Sequence, residues 1–291
     1  MRPNWGYINY HNRKQKITGQ KLKIIGSKLK VKTMKKSGTL AIIILLFLIY
    51  TGAALGQEYK VDLGSGKVKI HEVNEVNIEG HDENFVLISR RERRSGESER
   101  AKGLKIINSL GLEDNTGIGL SAVKSGDEVE LRPISRHSDT RYTIFIPKSV
   151  SVFYEHSSHH GDDLKIKNVQ SELDITVKFN SIYLEDVSGP MTINTVHGDV
   201  DGVFSQVSQE SAISIVSAHG HIDLALPSDT KAKLRLRTNH GEIYTDMNID
   251  YDTTSNLSRI SSSEVNGSLN GGGVDINLSS DHNNIYLRSK K

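Results

Sequence analysis

A short turn that keeps returning limits what this chain can fold into. His160-Gly161-Asp162, His197-Gly198-Asp199, His219-Gly220-His221 and His240-Gly241-Glu242 place their glycines 37, 22 and 21 residues apart. A degenerate copy, Asn180-Ser181-Ile182-Tyr183, divides the first gap into 20 and 17, and 42 residues lead from Gly241 to Asn283 in Asp281-His282-Asn283-Asn284-Ile285. A period near 20 residues marks a stacked array, in which no unit can bury its apolar face alone.

Each unit has the same internal order. A short alternating run follows the turn, as in Ile182-Tyr183-Leu184, Ile222-Asp223-Leu224-Ala225-Leu226 and Ile243-Tyr244-Thr245. A second run lies about ten residues on: Leu173 to Val177, Met191 to Thr195, Ile213 to Ile215 and Leu234 to Leu236. Alternation with period two means strands with one buried face, and no helical stripe competes with it. Glycine in the turn supplies positive φ or permits close backbone approach. The expectation is an all-β, right-handed, single-stranded β-solenoid (β-helix) with coils of about 20 residues. Roughly seven coils run from Tyr142 to Lys291, and successive copies stack ~4.8 Å apart. The segment 142–291 is thus the strand-repeat solenoid, with 57–141 as an irregular β start of the same stack.

The net charge of +2 conceals two unlike pieces. Residues 1–56 hold 11 Lys or Arg and no acid, so the remainder carries 26 basic and 35 acidic residues, a net of 26 − 35 = −9. An acidic body without an aromatic-basic surface argues against a nucleic-acid partner. Met34-Lys35-Lys36, the apolar run Leu40 to Tyr50 and Ala53-Ala54-Leu55-Gly56 form the three parts of a secretory signal peptide, 34–56, with cleavage expected after Gly56. The run falls short of the ~20 apolar residues of a membrane span, so no span is expected after cleavage. The basic stretch 1–33 reads as an extension upstream of a second start codon. The chain has no cysteine, which excludes both disulfides and a lipoprotein anchor. An exported protein of periplasm, cell surface or medium is the expectation.

Before the repeats, Val61 to Ile70, Val73 to Ile78 and Phe85 to Ile88 read as strands. Arg90 to Lys102 reads as a charged loop, and two further strands flank Asn115-Thr116-Gly117-Ile118-Gly119. That glycine pair opens no helix and is no phosphate cradle. Past Tyr244 the pattern lapses: Asp250 to Asn266 reads as a surface loop bulging from one coil. Order resumes at Leu269, and Arg288-Ser289-Lys290-Lys291 is expected to guard the open edge of the last coil.

The Gly-Asp/Glu-Ile/Val turns, together with the terminal Asn270-Gly271-Gly272-Gly273 block before a final strand pair, resemble the bacterial putative-adhesin family, a β-strand-repeat domain of unknown function. The likeness covers roughly Val61 to Leu287. His197-Gly198-Asp199-Val200 and His240-Gly241-Glu242-Ile243 fit its turn best, His221 stands where an acid is usual, and Asp163 is an extra residue after His160-Gly161-Asp162. The resemblance implies an exported β-solenoid without known catalysis.

Three sets of residues are candidates for chemistry. In-register stacking brings His160, His197, His219, His240 and His282 to one edge about 5 Å apart, where with His159 and His221 they suit a shared metal ion or a loss of stability near pH 5–6. The ordinary alternative is imidazoles in solvent before turn glycines. Lys231, Lys233, Arg235 and Arg237 alternate as a basic stripe, suited to an anionic glycan or envelope polymer. The turn glycines Gly161, Gly198, Gly220, Gly241, Gly271, Gly272 and Gly273 are structural. A carbohydrate-active β-helical enzyme would need clustered carboxylates. Asp174, Asp199 and Asp223 are the set on offer, and alternation alone would place them. No cofactor or catalytic residue is expected. The function expected is an adhesin-like binding or scaffold module of the bacterial envelope, with a carbohydrate-active enzyme or a periplasmic metal- or pH-sensing protein as alternatives.

Overall fold

The computed structural model describes residues 57–91, 100, 104, 108–135, 140–251 and 263–291. The extension 1–33 and the signal segment 34–56 lie outside the described residues. All regular structure is β, in two long sheets of ten and eleven strands among the described residues. The middle of the chain supplies one strand to each sheet in turn. β8 (Ser151–His156), β10 (Leu173–Val177), β12 (Met191–Thr195) and β14 (Ile213–Ser217) pair in parallel in one sheet. β9 (Leu164–Lys167), β11 (Ile182–Val187), β13 (Val200–Phe204) and β15 (Ile222–Leu226) do so in the other. The architecture is therefore solenoid-like, and each rung holds two strands, one per sheet, as the two alternating runs of each unit lead one to expect.

Alternation along each strand decides which residues meet. Val152, Leu173, Met191 and Ile213 form one inward column, and Tyr154, Ile175, Ile193 and Ile215 form the next. All are buried, each worth ~1.5–3 kcal/mol of apolar burial. In the facing sheet Gly202 interrupts the column of Ile166, Leu184 and Leu224. The Leu224 side chain takes up that space, 2.9 Å from where a Cβ would stand on Gly202, with Leu184 and the fully buried Phe204 ring each at 3.6 Å. The Tyr154 hydroxyl donates to the Val73 carbonyl at 2.9 Å, so this phenol is buried with its hydrogen bond satisfied.

Both ends depart from sequential stacking, contrary to the expectation that successive copies stack. The first rung, β2 (Lys67–His71) and β3 (Glu75–His81), lies between β8/β9 and the rung formed by β6 (Glu128–Pro133) and β7 (Arg141–Pro147). The last rung, β20 (Val274–Ser280) and β21 (Ile285–Ser289), lies between β14/β15 and the earlier β16 (Ala232–Thr238) and β17 (Ile243–Thr245). β20 thus pairs with β14 on one side and β16 on the other, and β21 with β15 and β17. Antiparallel strands cover the outer rungs. β4 (Phe85–Arg91) lies on β7 and β1 (Glu58–Asp62) on β4, while β5 (Leu120–Ser125) lies on β6. β19 (Ser263–Leu269) lies on β16, and β18 (Asp250–Tyr251) on β19.

These ends correct three local expectations. Val61 to Ile70 is not one strand: it breaks between β1 and β2 at Gly66, where φ is +106°. Asp250 to Asn266 is not wholly a loop, since β18 and part of β19 arise from it; strands that cover an edge need little apolar character, and residues 252–262 lie outside the described residues. The basic terminus guards no open edge, because β21 is internal. Arg288 instead forks onto Asp223 at 2.7 and 2.8 Å, and Lys290 reaches Asp186 at 3.3 Å.

Asn270-Gly271-Gly272-Gly273 makes the crossing possible. β19 and β20 flank β16 on opposite sides, so the chain must pass over the start of β16. Asn270, Gly271 and Gly272 take three consecutive left-handed conformations, φ +48°, +80° and +86°. The Asn270 side chain donates to the carbonyls of Ser228 and Thr230 at 3.1 and 2.7 Å, and the Gln209 side chain joins Lys231 to Val274.

Candidate functional site

One corner of the stack repeats with little change. Its unit is a Ser or Thr, any residue, a ring, and then Gly or Asn: Thr195-Val196-His197-Gly198, Ser217-Ala218-His219-Gly220, Thr238-Asn239-His240-Gly241 and Ser280-Asp281-His282-Asn283. The buried hydroxyl accepts from the main-chain N–H three residues on, at 3.0, 2.8, 2.9 and 3.1 Å respectively. Three of these hydroxyls also donate to the neighbouring rung: Ser217 to Gly198 O at 3.2 Å, Ser280 to Gly220 O at 3.0 Å and Thr238 to Asn283 O at 3.0 Å. Each such hydroxyl closes its own turn and ties it to the next.

Close approach, not positive φ, accounts for glycine here. A Cβ on Gly198 would stand 1.7 Å from Asn180 O, and one on Gly220 2.0 Å from Gly198 O. Asp199 caps the adjacent turn by accepting the His221 N–H at 2.8 Å, as Asn284 does for the Glu242 N–H at 2.9 Å.

With the turns locked in register, the rings stack. The order along the edge is Phe179, His197, His219, His282, His240, with centroid separations of 5.4, 4.8, 4.6 and 5.0 Å. His282 stands between His219 and His240 because its rung is intercalated. The interplanar angle is 6° at His197–His219 and 31° and 30° at the two His282 contacts. All five side chains are exposed, so the column presents a row of imidazole edges to solvent.

The other predicted histidines lie elsewhere. His160 is not in the column: its corner is longer, and its ring packs 4.1 Å from His159. His221 turns onto the face of the second sheet, where its Nδ1 meets Asp199 and its Nε2 meets Asp201, both at 3.0 Å. His156 takes the inward place that Thr195 and Ser217 hold in later rungs. It is buried, with Nδ1 2.9 Å from Asn180 Oδ1 and Nε2 3.1 Å from Asn74 Oδ1. Burial pushes its pKa below the ordinary imidazole value, against the opposing pull of the Glu72 charge and the Asn180 bond. Among the described residues no three His, Cys, Asp or Glu side chains form a ready-made ion site.

The basic stripe lies on β16, with Lys233, Arg235 and Arg237 outward and Lys231 just before the strand. It does not stand alone. Asp275 of β20 pairs in register with Lys233, and Glu264 of β19 with Arg237; the Glu264 carboxylate is 3.6 Å from Arg235. A shallow trough beside it is lined by Ser214, Val216, Arg235, Arg237, Glu264, Asn277, Leu278 and Ser279. Asp174, Asp199 and Asp223 are not brought together: they fall on β10, a corner and β15. Among the described residues no helix is long and apolar enough to cross a membrane.

Sequence reasoning found the histidine register but missed the hydroxyl three residues before each turn glycine, legible as Ser/Thr-x-His-Gly/Asn. It also missed Phe179, whose turn carries Asn180 where three of the four histidine turns carry Gly.

No curated protein matches the chain. Two solved structures match the chain in a structural comparison. The first is a "putative cell adhesion protein" from Clostridium sporogenes ATCC 15579, with TM-score 0.41 and 11% identity over 80% of this chain and 99% of that one. The second is a "putative adhesin" from Bacteroides fragilis NCTC 9343, with TM-score 0.31 and 10% identity over 80% of this chain and 96% of that one. Residues 152–288, which span the stacked rungs from β8 to β21, match the family model described as Toastrack DUF4097.

Proposed function

We propose that the protein is an exported, non-catalytic binding or scaffold module of the bacterial envelope, adhesin-like in that one sheet face grips an extended anionic polymer. In this reading the segment 34–56 directs export, the rungs wind right-handed with about 20 residues each, and the mature protein works in the periplasm or at the surface. The observation that carries it is the outward face of the sheet containing β16. Asp174, Thr192, Ser214, Asn277 and Arg235 stand in one register line across five strands. Thr176, Asn194, Val216, Ser279 and Arg237 form the next. Such a row repeats every ~4.8 Å. It is largely polar, with Val216 the apolar exception, and it ends in two guanidinium groups beside the Ser214–Ser279 trough, one of them 3.6 Å from the Glu264 carboxylate, a site suited to a linear polymer bearing carboxylates or phosphates that displaces that contact.

The test is binding of the purified chain to immobilised anionic and neutral polysaccharides, with a double variant R235S/R237S. Retention on the anionic polymers that falls with salt and is lost in the double variant supports the reading. Equal retention of both proteins, or turnover of the polymer, overturns it in favour of another face or of a carbohydrate-active enzyme.

A further inference from the structure

We propose that the histidine column binds divalent copper, with His282 as the central ligand and His219 as its nearest partner. This goes beyond the polymer-binding reading and uses a different part of the molecule. The two rings are the tightest pair within the column, 4.6 Å between centroids, and their planes are inclined by 31°. Two imidazole nitrogens bound to one ion at ~2.0 Å each stand at most ~4 Å apart. The 4.6 Å between ring centroids is close to that span. His240 lies 5.0 Å from His282 on the other side, a second partner at similar reach.

The surroundings of His282 fix which nitrogen is offered. Its Nδ1 lies 3.1 Å from the Ala218 carbonyl and 3.2 Å from an oxygen of Asp281. Both groups are acceptors, so Nδ1 carries the proton and the lone pair sits on Nε2. A carbonyl or carboxylate behind the ring is what orients a metal-binding imidazole and raises its basicity. Asp281 is itself held by the Asn239 side-chain amide. The His282 side chain is 47% exposed, so an ion reaches Nε2 directly from solvent.

The choice of metal follows from the donor count. A structural zinc site closes with four protein ligands, and no three converge here among the described residues. Copper(II) accepts two imidazoles with waters in a tetragonal set and binds nitrogen donors most tightly of the first-row divalent ions.

The test is titration of the full-length chain with Cu²⁺ alone at pH 7.5 in a non-chelating buffer, read by electron paramagnetic resonance and competition with a chelator. The informative variant is His282→Phe, which keeps an aromatic ring in the column, as Phe179 already does at its end. The expected result is a spectrum showing coupling to two imidazole nitrogens in the parent and roughly tenfold weaker binding in His282→Phe. His159→Phe, outside the column, should leave binding unchanged. Metal-free melting shows whether His282→Phe folds; if it does not, His219→Phe takes its place. Parent-like copper binding in the column variant, or single-nitrogen coupling in the parent, overturns the proposal.

Discussion

The four rungs from β8/β9 to β14/β15 and the two intercalated rungs use the same inward columns but reach them differently. In the middle each rung lies beside its neighbour in sequence, so one short corner closes every contact. At the ends the chain lays down an outer rung first and returns to fill a gap, or leaves its first rung waiting for later strands on both sides. The difference separates what a repeat can specify from what needs an individual device. The Ser/Thr-x-His-Gly/Asn corner repeats across both settings, closing β12/β13 and β14/β15 in the middle and β16/β17 and β20/β21 at the C-terminal end. The C-terminal return depends on Asn270-Gly271-Gly272 and the Gln209 bridge, and the N-terminal one on His156 between Asn74 and Asn180.

The largest effect should come from removing the intercalated rung. A chain ending at Gly273 leaves β14, β15, β16 and β17 each without a parallel partner on the vacated side. Limited proteolysis should cut from Ile213 onward while Ser151 to Thr195 stays protected. Uniform resistance along the chain would mean that β16/β17 docks on β14/β15 unaided.

Next come the two kinds of glycine. Gly220→Ala drives a methyl into the Gly198 carbonyl and should cost on the order of 4 kcal/mol. Gly271→Ala faces open space and bears only a left-handed φ of +80°, costing about 1 kcal/mol. Urea midpoints of the two variants measure the gap directly. Equal losses would erase the distinction between corner and crossing.

The smallest effect is the pH dependence of the junction. His156 has a folded-state pKa below its unfolded value of about 6.5, so the unfolded chain takes up the proton first. Its contribution is therefore complete above about pH 6.5 and is lost as pH falls from there towards the lowered folded value. Between pH 8 and 5 the parent should lose more stability than His156→Gln, and parallel pH profiles would remove His156 as the cause.

Much of the middle was legible in the sequence. The alternation of Leu173-Asp174-Ile175-Thr176-Val177 states both the strand and its buried face, and the spacing of His197, His219 and His240 states their register. The ends were not legible, because local pattern is silent about partners. Nothing in Val274-Asp275-Ile276-Asn277-Leu278 distinguishes an internal rung from a last one. Ser263 to Asn266, the first part of β19, reads as loop because a strand laid over an edge buries little. The ring column was half visible, since His282 follows the period but only the intercalated rung sets it beside both His219 and His240. The basic stripe was visible as alternation, while Glu264 and Asp275, which flank it, arrive from strands whose pairing no local rule gives.

The intercalated rung also bears on how the molecule comes into being. A chain delivered amino end first presents β14/β15 and β16/β17 well before β20/β21 exist. For that interval the slot between them has bare main-chain donors and acceptors on both sides. Completion waits for the stretch through Ser289, so a chain halted short of it carries two adhesive strand edges rather than a shortened but finished stack. Quality control thus has a single late event to sense: the arrival of the filling rung.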